Sequence, residues 1–119
     1  MIEISSDVIR GYNDTMILYI LRNAPSYGYE ISKNIKSMTD GKYIIKETTL
    51  YSAFTRMEKN GYIESFSGQE DRRTYYRITD SGRKFYSEKC DEWELTKEVV
   101  EKFIASQADE AYEKDSGNE

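Results

Sequence analysis

Residues 48–79 read TTLYSAFTRMEKNGYIESFSGQEDRRTYYRIT, and this stretch decides the fold. Leu50, Ala53, Phe54 and Met57 repeat at the i, i+3, i+4, i+7 spacing of an amphipathic helix. Thr48 or Thr49 is placed to cap its start. Asn60-Gly61 is placed to stop it, since Gly61 can take the left-handed conformation just past a helix end. Residues 62–67 then read as a strand, 68–73 as a turn and 74–78 as a returning strand.

Working outward, a first helix spans about residues 7–23, with Ile17, Leu18, Ile20 and Leu21 on one apolar side. Pro25 ends it, because the residue before a proline avoids the helical region. Ser26 is placed to cap a second helix with Glu30 in its first turn. Ile31, Ile35 and Met38 form its buried face, and Gly41 closes it. Tyr43-Ile44-Ile45 is a short strand candidate. Thr79 is placed to cap a fourth helix reaching about Ala111. The order helix, helix, short strand, helix, hairpin, long helix predicts a mainly α fold with a small β-wing. That fold is a winged helix-turn-helix with a long C-terminal dimerisation helix. Residues 1–79 are the expected DNA-binding domain, 80–112 the dimerisation helix and 113–119 a disordered polar tail.

Composition narrows the function. The 119 residues suit one modest domain, with 38% hydrophobic and 33% charged residues. There is no histidine and only one cysteine, Cys90, so the usual zinc sites and the histidine-based triads are missing. The seven glycines match neither a P-loop nor a dinucleotide fingerprint. The chain is therefore not expected to be an enzyme or to need a cofactor. The absence of a long apolar run, an acidic start and the lone cysteine place it in the cytoplasm, away from membranes. Cys90 reads as a packing residue, with a redox thiol as the alternative.

The net charge is −5, yet its distribution matters more. Residues 1–87 carry 13 Lys/Arg against 11 Asp/Glu, a net of +2. Residues 88–119 carry 4 against 11, a net of −7. On the third helix Thr49, Ser52 and Arg56 form a polar stripe, flanked by Tyr51, Thr55 and Lys59. Such side chains suit phosphates and base edges, although an ordinary solvated face would look the same. The Arg72-Arg73 tip suits a phosphate or the minor groove, although charges also keep a loop soluble. The candidate DNA contacts are Tyr29, Lys46, Thr48, Thr49, Tyr51, Ser52, Arg56, Lys59, Arg72, Arg73 and Tyr75. A winged helix that binds another protein instead of DNA is the alternative.

Three ordered blocks carry a family resemblance. Tyr27-Gly28-Tyr29-Glu30-Ile31 resembles the PadR segment HGYEI. Thr49-Leu50-Tyr51, followed by Arg56-Met57-Glu58-Lys59-Asn60-Gly61-Tyr62-Ile63, resembles GTLY…RLEEEGLI. Residues 72–83, RRTYYRITDSGR, resemble RRKYYRLTEEGR. The likeness spans residues 10–105. Tyr27 stands where the family has a small residue or histidine, and Glu47-Thr48 where it has Pro-Gly. Glu47 suits the helix dipole but repels phosphate, so the family's half-site does not transfer. The resemblance implies a homodimeric repressor that binds an inverted repeat in promoter DNA. Such regulators often control efflux or detoxification genes and are released by an effector.

The last helix carries the expected dimer interface: Trp93, Val100, Phe103, Ile104 and Gln107. An apolar stripe this long asks for a partner helix from a second copy, with the two recognition helices roughly 34 Å apart. The shortness of the chain after residue 108 is similar to the PadR subclass with one C-terminal helix. In its drug-sensing members a tryptophan at the place of Trp93 lines an interface cavity. The resemblance thus implies a planar aromatic or cationic ligand held by Trp93, with Tyr12, Thr15 and Thr96 as further walls. The alternative is that Trp93 is an interface anchor with no ligand.

Overall fold

The computed structural model describes residues 2–104. Its elements are α1 (Ser6–Ile9), one 3-10 turn (Arg10–Tyr12), α2 (Asn13–Leu21), β1 (Ser26–Tyr27), α3 (Gly28–Met38), α4 (Glu47–Lys59), β2 (Ile63–Ser67), β3 (Thr74–Ile78) and α5 (Asp80–Glu101). The chain divides into two compact units between Ser87 and Glu88, so the first turns of α5 belong to the first unit.

The first unit is built on α4. Leu50, Ala53, Phe54 and Met57 are all buried, as their spacing predicts. They meet Ile17, Leu18 and Leu21 of α2, Ile31 and Ile35 of α3, and Ile63 and Tyr76 of the sheet. The Phe54 ring stacks on Tyr76 at a centroid distance of 4.1 Å. Tyr76 faces the core while its neighbour Tyr75 lies half-exposed, the alternation expected of a strand.

The sheet has the order β1-β3-β2, all antiparallel. Ile63 pairs with Ile78 and Ser67 with Thr74, which sets the expected hairpin. The third strand differs from expectation. It is Ser26–Tyr27, paired with Tyr76 and Tyr75, and not residues 43–45. The physical reason is local competition. The Thr39 hydroxyl accepts from the Tyr43 N–H at 3.1 Å and stands 3.2 Å from the Tyr43 carbonyl. The Tyr43 hydroxyl donates to buried Asn13 at 2.6 Å, and Ile45 enters the core. A backbone satisfied in this way has no need of a ladder. Burial raises the Tyr43 phenol above its ordinary value, against the pull of the Asn13 bond.

Other boundaries move for similar reasons. The first helix is broken at the 3-10 turn around Gly11, a weak helix former, and ends at Leu21, not Asn23. Ser26 does not cap α3, because it is a strand residue; its hydroxyl donates to the Glu30 carboxylate instead. Met38 is exposed, at the last residue of α3, and not part of the buried face. Lys46, not Thr48 or Thr49, precedes α4, with Glu47 in the first turn where the helix dipole favours an acid. The last helix ends at Glu101, where Lys102 and Phe103 bond three residues back at 3.2 and 2.9 Å. Its expected run to Ala111 lies beyond that end and, from residue 105, outside the described residues.

The junction between α4, the sheet and α5 is tight. Gly61 has φ +79 and turns the chain out of α4. The Thr79 hydroxyl donates to the Gly61 carbonyl at 2.6 Å and accepts from the Gly82 N–H at 3.0 Å, capping α5 as expected. A β-carbon on Gly82 would overlap the Tyr62 carbonyl oxygen and stand 2.8 Å from Ile78. Backbone cannot retreat as a side chain can. Gly82→Ala is therefore expected to destabilise the fold by about 1–3 kcal/mol, seen as a lower urea midpoint with an unchanged slope.

Candidate nucleic-acid interface

The outward face of α4 runs along Thr48, Ser52, Thr55 and Lys59, all exposed, at spacings of four, three and four. The expected stripe of Thr49, Ser52 and Arg56 meets this row at Ser52. Thr49 is half-buried. Arg56 turns towards α2, where its guanidinium pairs with Asp14. The expected phosphate contact from Arg56 is thus already engaged by a carboxylate. Tyr51 flanks the other side, with its ring edge-on to Phe54 at 5.5 Å. Its hydroxyl lies over Gly28, where a β-carbon would stand 2.5 Å from it. Glu58 turns to β2 and accepts from the Ser65 N–H at 3.2 Å and from the Ser65 hydroxyl, so this acid does not oppose a polyanion on the outward face. Lys46 is exposed just before the helix.

The two wing arginines differ. Arg72 is exposed and forms no ion pair among the described residues. Arg73 pairs with Asp71 at 3.1 Å and stacks 4.5 Å above the Tyr27 ring. Tyr75, an expected DNA contact, faces the wing itself. It packs on Tyr27 at 5.3 Å and on Phe66 at 5.7 Å, and its hydroxyl donates to Asp71 at 3.1 Å. Desolvation works to raise the Asp71 carboxyl. The bonds from the Arg73 N–H and the Tyr75 hydroxyl and the nearby guanidinium outweigh it and hold the group below the usual carboxylate range. Arg77 pairs with Glu64 at 3.3 Å and lies over Phe66.

Sequence reasoning missed two lysines. Tyr29, 71% exposed, begins a row continued by Lys33 and Lys36 at spacings of four and three. The row lies opposite buried Ile31 and Ile35 on α3, and its helical spacing was the available signal. Among the described residues Lys33, Lys36, Lys42, Lys46, Lys59 and Arg72 have no acid within ion-pair distance, whereas Arg10, Arg56, Arg73 and Arg77 do.

The residues expected to hold a ligand fall in both units. Tyr12 is half-buried in the 3-10 turn. Thr15 lines a cavity of about 230 Å³ with Met16, Tyr19, Ile20, Ile35, Met38, Thr39 and Tyr86. On α5, Trp93 is 44% exposed, and Thr96 is half-buried with its hydroxyl donating to the Glu92 carbonyl at 2.7 Å. Val100, Phe103 and Ile104 are exposed, and Gln107 lies outside the described residues. Cys90 is half-buried. No cluster of metal ligands occurs among the described residues, and no helix there is long and apolar enough to cross a membrane.

Comparison with known proteins bears on this arrangement. Residues 17–88 match the transcriptional regulator PadR-like family. A transcriptional regulator from Clostridium thermocellum is 68% identical, with a TM-score of 0.82 over 86% of this chain and 99% of that one. A PadR family transcription regulator from hypervirulent Clostridium difficile is 35% identical, with a TM-score of 0.68 over 79% of this chain and 99% of that one. An uncharacterised protein from Lysinibacillus sphaericus is 41% identical over 104 residues, 85% of this chain and 95% of its own length.

The unpaired cations make a direct prediction. Lys59→Ala and Arg72→Ala are each expected to lower the salt slope of duplex binding by about 0.9, one phosphate contact apiece. Arg56→Ala should leave that slope nearly unchanged. Fluorescence anisotropy titrations over a range of salt concentrations check all three.

Proposed function

The chain belongs to the PadR-like family of transcriptional regulators, whose business is DNA-binding control of transcription and not catalysis, and from that premise we propose that it is a homodimeric repressor of promoter DNA. Residues 1–79 carry DNA binding and α5 carries dimerisation. Thr48, Ser52, Thr55 and Lys59 of α4 face the major groove, with Thr48 and Ser52 nearest the bases. Arg72 and the lysines at positions 33, 36, 46 and 59 meet phosphates on either side. A two-fold pair presents two such faces to an inverted repeat. Such a protein works in the cytoplasm, where its operator lies.

The observation that carries the dimer is the apolar edge of α5. Trp93 and Val100 on one side of α5, and Phe103 and Ile104 just past its end, are all at least 43% exposed. A run of large apolar side chains on a surface helix marks an interaction site. A second copy supplies the same stripe in return. Val100→Glu combined with Phe103→Glu is expected to convert a particle of twice 14.0 kDa into one of 14.0 kDa. Operator affinity should fall about 100-fold or more as the two half-sites lose their linkage. Sedimentation velocity and gel shifts with the chain's own upstream region read both. A native chain that sediments as a monomer and binds DNA undiminished removes the dimer from the reading.

The proposed effector is a planar aromatic molecule, cationic or hydrophobic, at the dimer interface. Trp93 supplies the stacking face, and a positive charge on the ligand adds attraction to the indole ring. Thr96, three residues on from Trp93, is a further contact. Planar cationic dyes are expected to quench Trp93 emission and to release labelled operator at the same concentrations. Dyes that leave the emission unchanged count against an effector of this class.

A further inference from the structure

The wing tip holds a carboxylate where electrostatics alone would exclude one. Asp71 directly precedes Arg72, the exposed arginine of the hairpin, on a surface meant for a polyanion. Its charge is nevertheless turned inward. One oxygen accepts from the Arg73 N–H at 3.1 Å. The other accepts from the Arg73 guanidinium at 3.1 Å and from the Tyr75 hydroxyl at 3.1 Å. Each of these partners is anchored in turn. Arg73 lies over the Tyr27 ring, its carbonyl accepts from the Gly68 N–H at 3.1 Å, and Tyr75 is wedged between Tyr27 and Phe66. The Asp71 side chain also fills the inside of the loop: a β-carbon on Gly68 would overlap it and stand 2.7 Å from the Tyr75 ring. A single carboxylate thus ties the loop to the sheet.

We propose that Asp71 is a positioning residue for DNA binding: by pinning the loop on both sides of Arg72, it presents that guanidinium to a phosphate. The inference rests on the reading of the wing as a DNA contact. Arg72 is the one loop arginine whose own side chain no carboxylate engages. Its backbone lies between Asp71 and Arg73, which the Asp71 carboxylate ties together. Arg73 neutralises the Asp71 charge within the fold, so the repulsion from phosphate is largely cancelled where it would arise. What remains is preorganisation: an arginine on a fixed loop loses less freedom on binding than one on a loose loop.

The sign of one substitution separates this from simple electrostatics. Removing an acid from a DNA-facing tip should tighten binding if charge alone mattered. Positioning demands the opposite. Asp71→Ala is expected to weaken binding to the chain's own labelled upstream region by about three- to tenfold and to lower the salt slope towards that of Arg72→Ala. In the Arg72→Ala background the same change should alter affinity by less than about twofold, since the group it positions is gone. Amide exchange at Arg73, faster in Asp71→Ala while the core amides stay protected, shows that the loop and not the fold has loosened. Binding by Asp71→Ala at native or higher affinity overturns the proposal, as does equal weakening in both backgrounds. A native chain without salt-sensitive duplex binding overturns the functional reading and this inference with it.

Discussion

The stacking of Phe54 on Tyr76 is the contact on which the geometry of the proposed DNA-facing surface depends. Phe54 is the centre of the buried face of α4, and Tyr76 sits on the middle strand of the sheet. Their contact fixes α4 to the strand that also carries the wing. The outward row of α4 and the arginine tip of the hairpin are then set in one frame, although neither touches the other. A helix docked on a loose partner could present a polar face but not hold it in register with a second contact. Burial of Ile17, Leu18, Ile31 and Met57 around the same pair keeps that frame rigid.

The close approaches in this unit explain why separate sequence blocks belong together. Gly28 of the Tyr27-Gly28-Tyr29 segment lies under the Tyr51 hydroxyl of the Thr49-Leu50-Tyr51 segment. Gly82 of the third block lies against the Tyr62 backbone at the end of the second. Gly82 is needed because backbone occupies the space of its missing side chain, whereas at Gly28 the space is taken by the movable end of a side chain. The spacing that marks the family in the chain is therefore the trace of contacts made in three dimensions.

Charge is sorted in the same way. An acidic protein can serve a polyanion because the field that matters is local, with a screening length of about 8 Å in physiological salt. The net of −7 over residues 88–119 does not describe the surface of α3, α4 and the wing. On that surface Arg56, Arg73 and Arg77 are occupied by carboxylates of the fold, and the lysines and Arg72 are left to solvent. The division has a physical logic. The planar guanidinium makes geometrically defined pairs and stacks on rings, as Arg73 does on Tyr27. The ammonium of a lysine remains hydrated on a mobile stem and suits a phosphate backbone that must be gripped without regard to sequence.

By itself the sequence determined the elements whose signal is local. The stripe of Leu50, Ala53, Phe54 and Met57, the stop at Gly61, the hairpin, the Thr79 cap and the exposed apolar edge of α5 follow from side-chain periodicity and capping chemistry within a few residues. Tertiary structure alone decided the rest. Ser26–Tyr27 became the third strand because β3 lay beside it, while Tyr43 was claimed by Thr39 and Asn13 and Ile45 by the core. Arg56 was withdrawn from the outward face by an acid 42 residues away, and Arg73 by a ring 46 positions earlier in the chain. Periodicity states which side of an element a residue occupies. It cannot name the partner waiting there, because that partner is brought close only when the whole chain has packed.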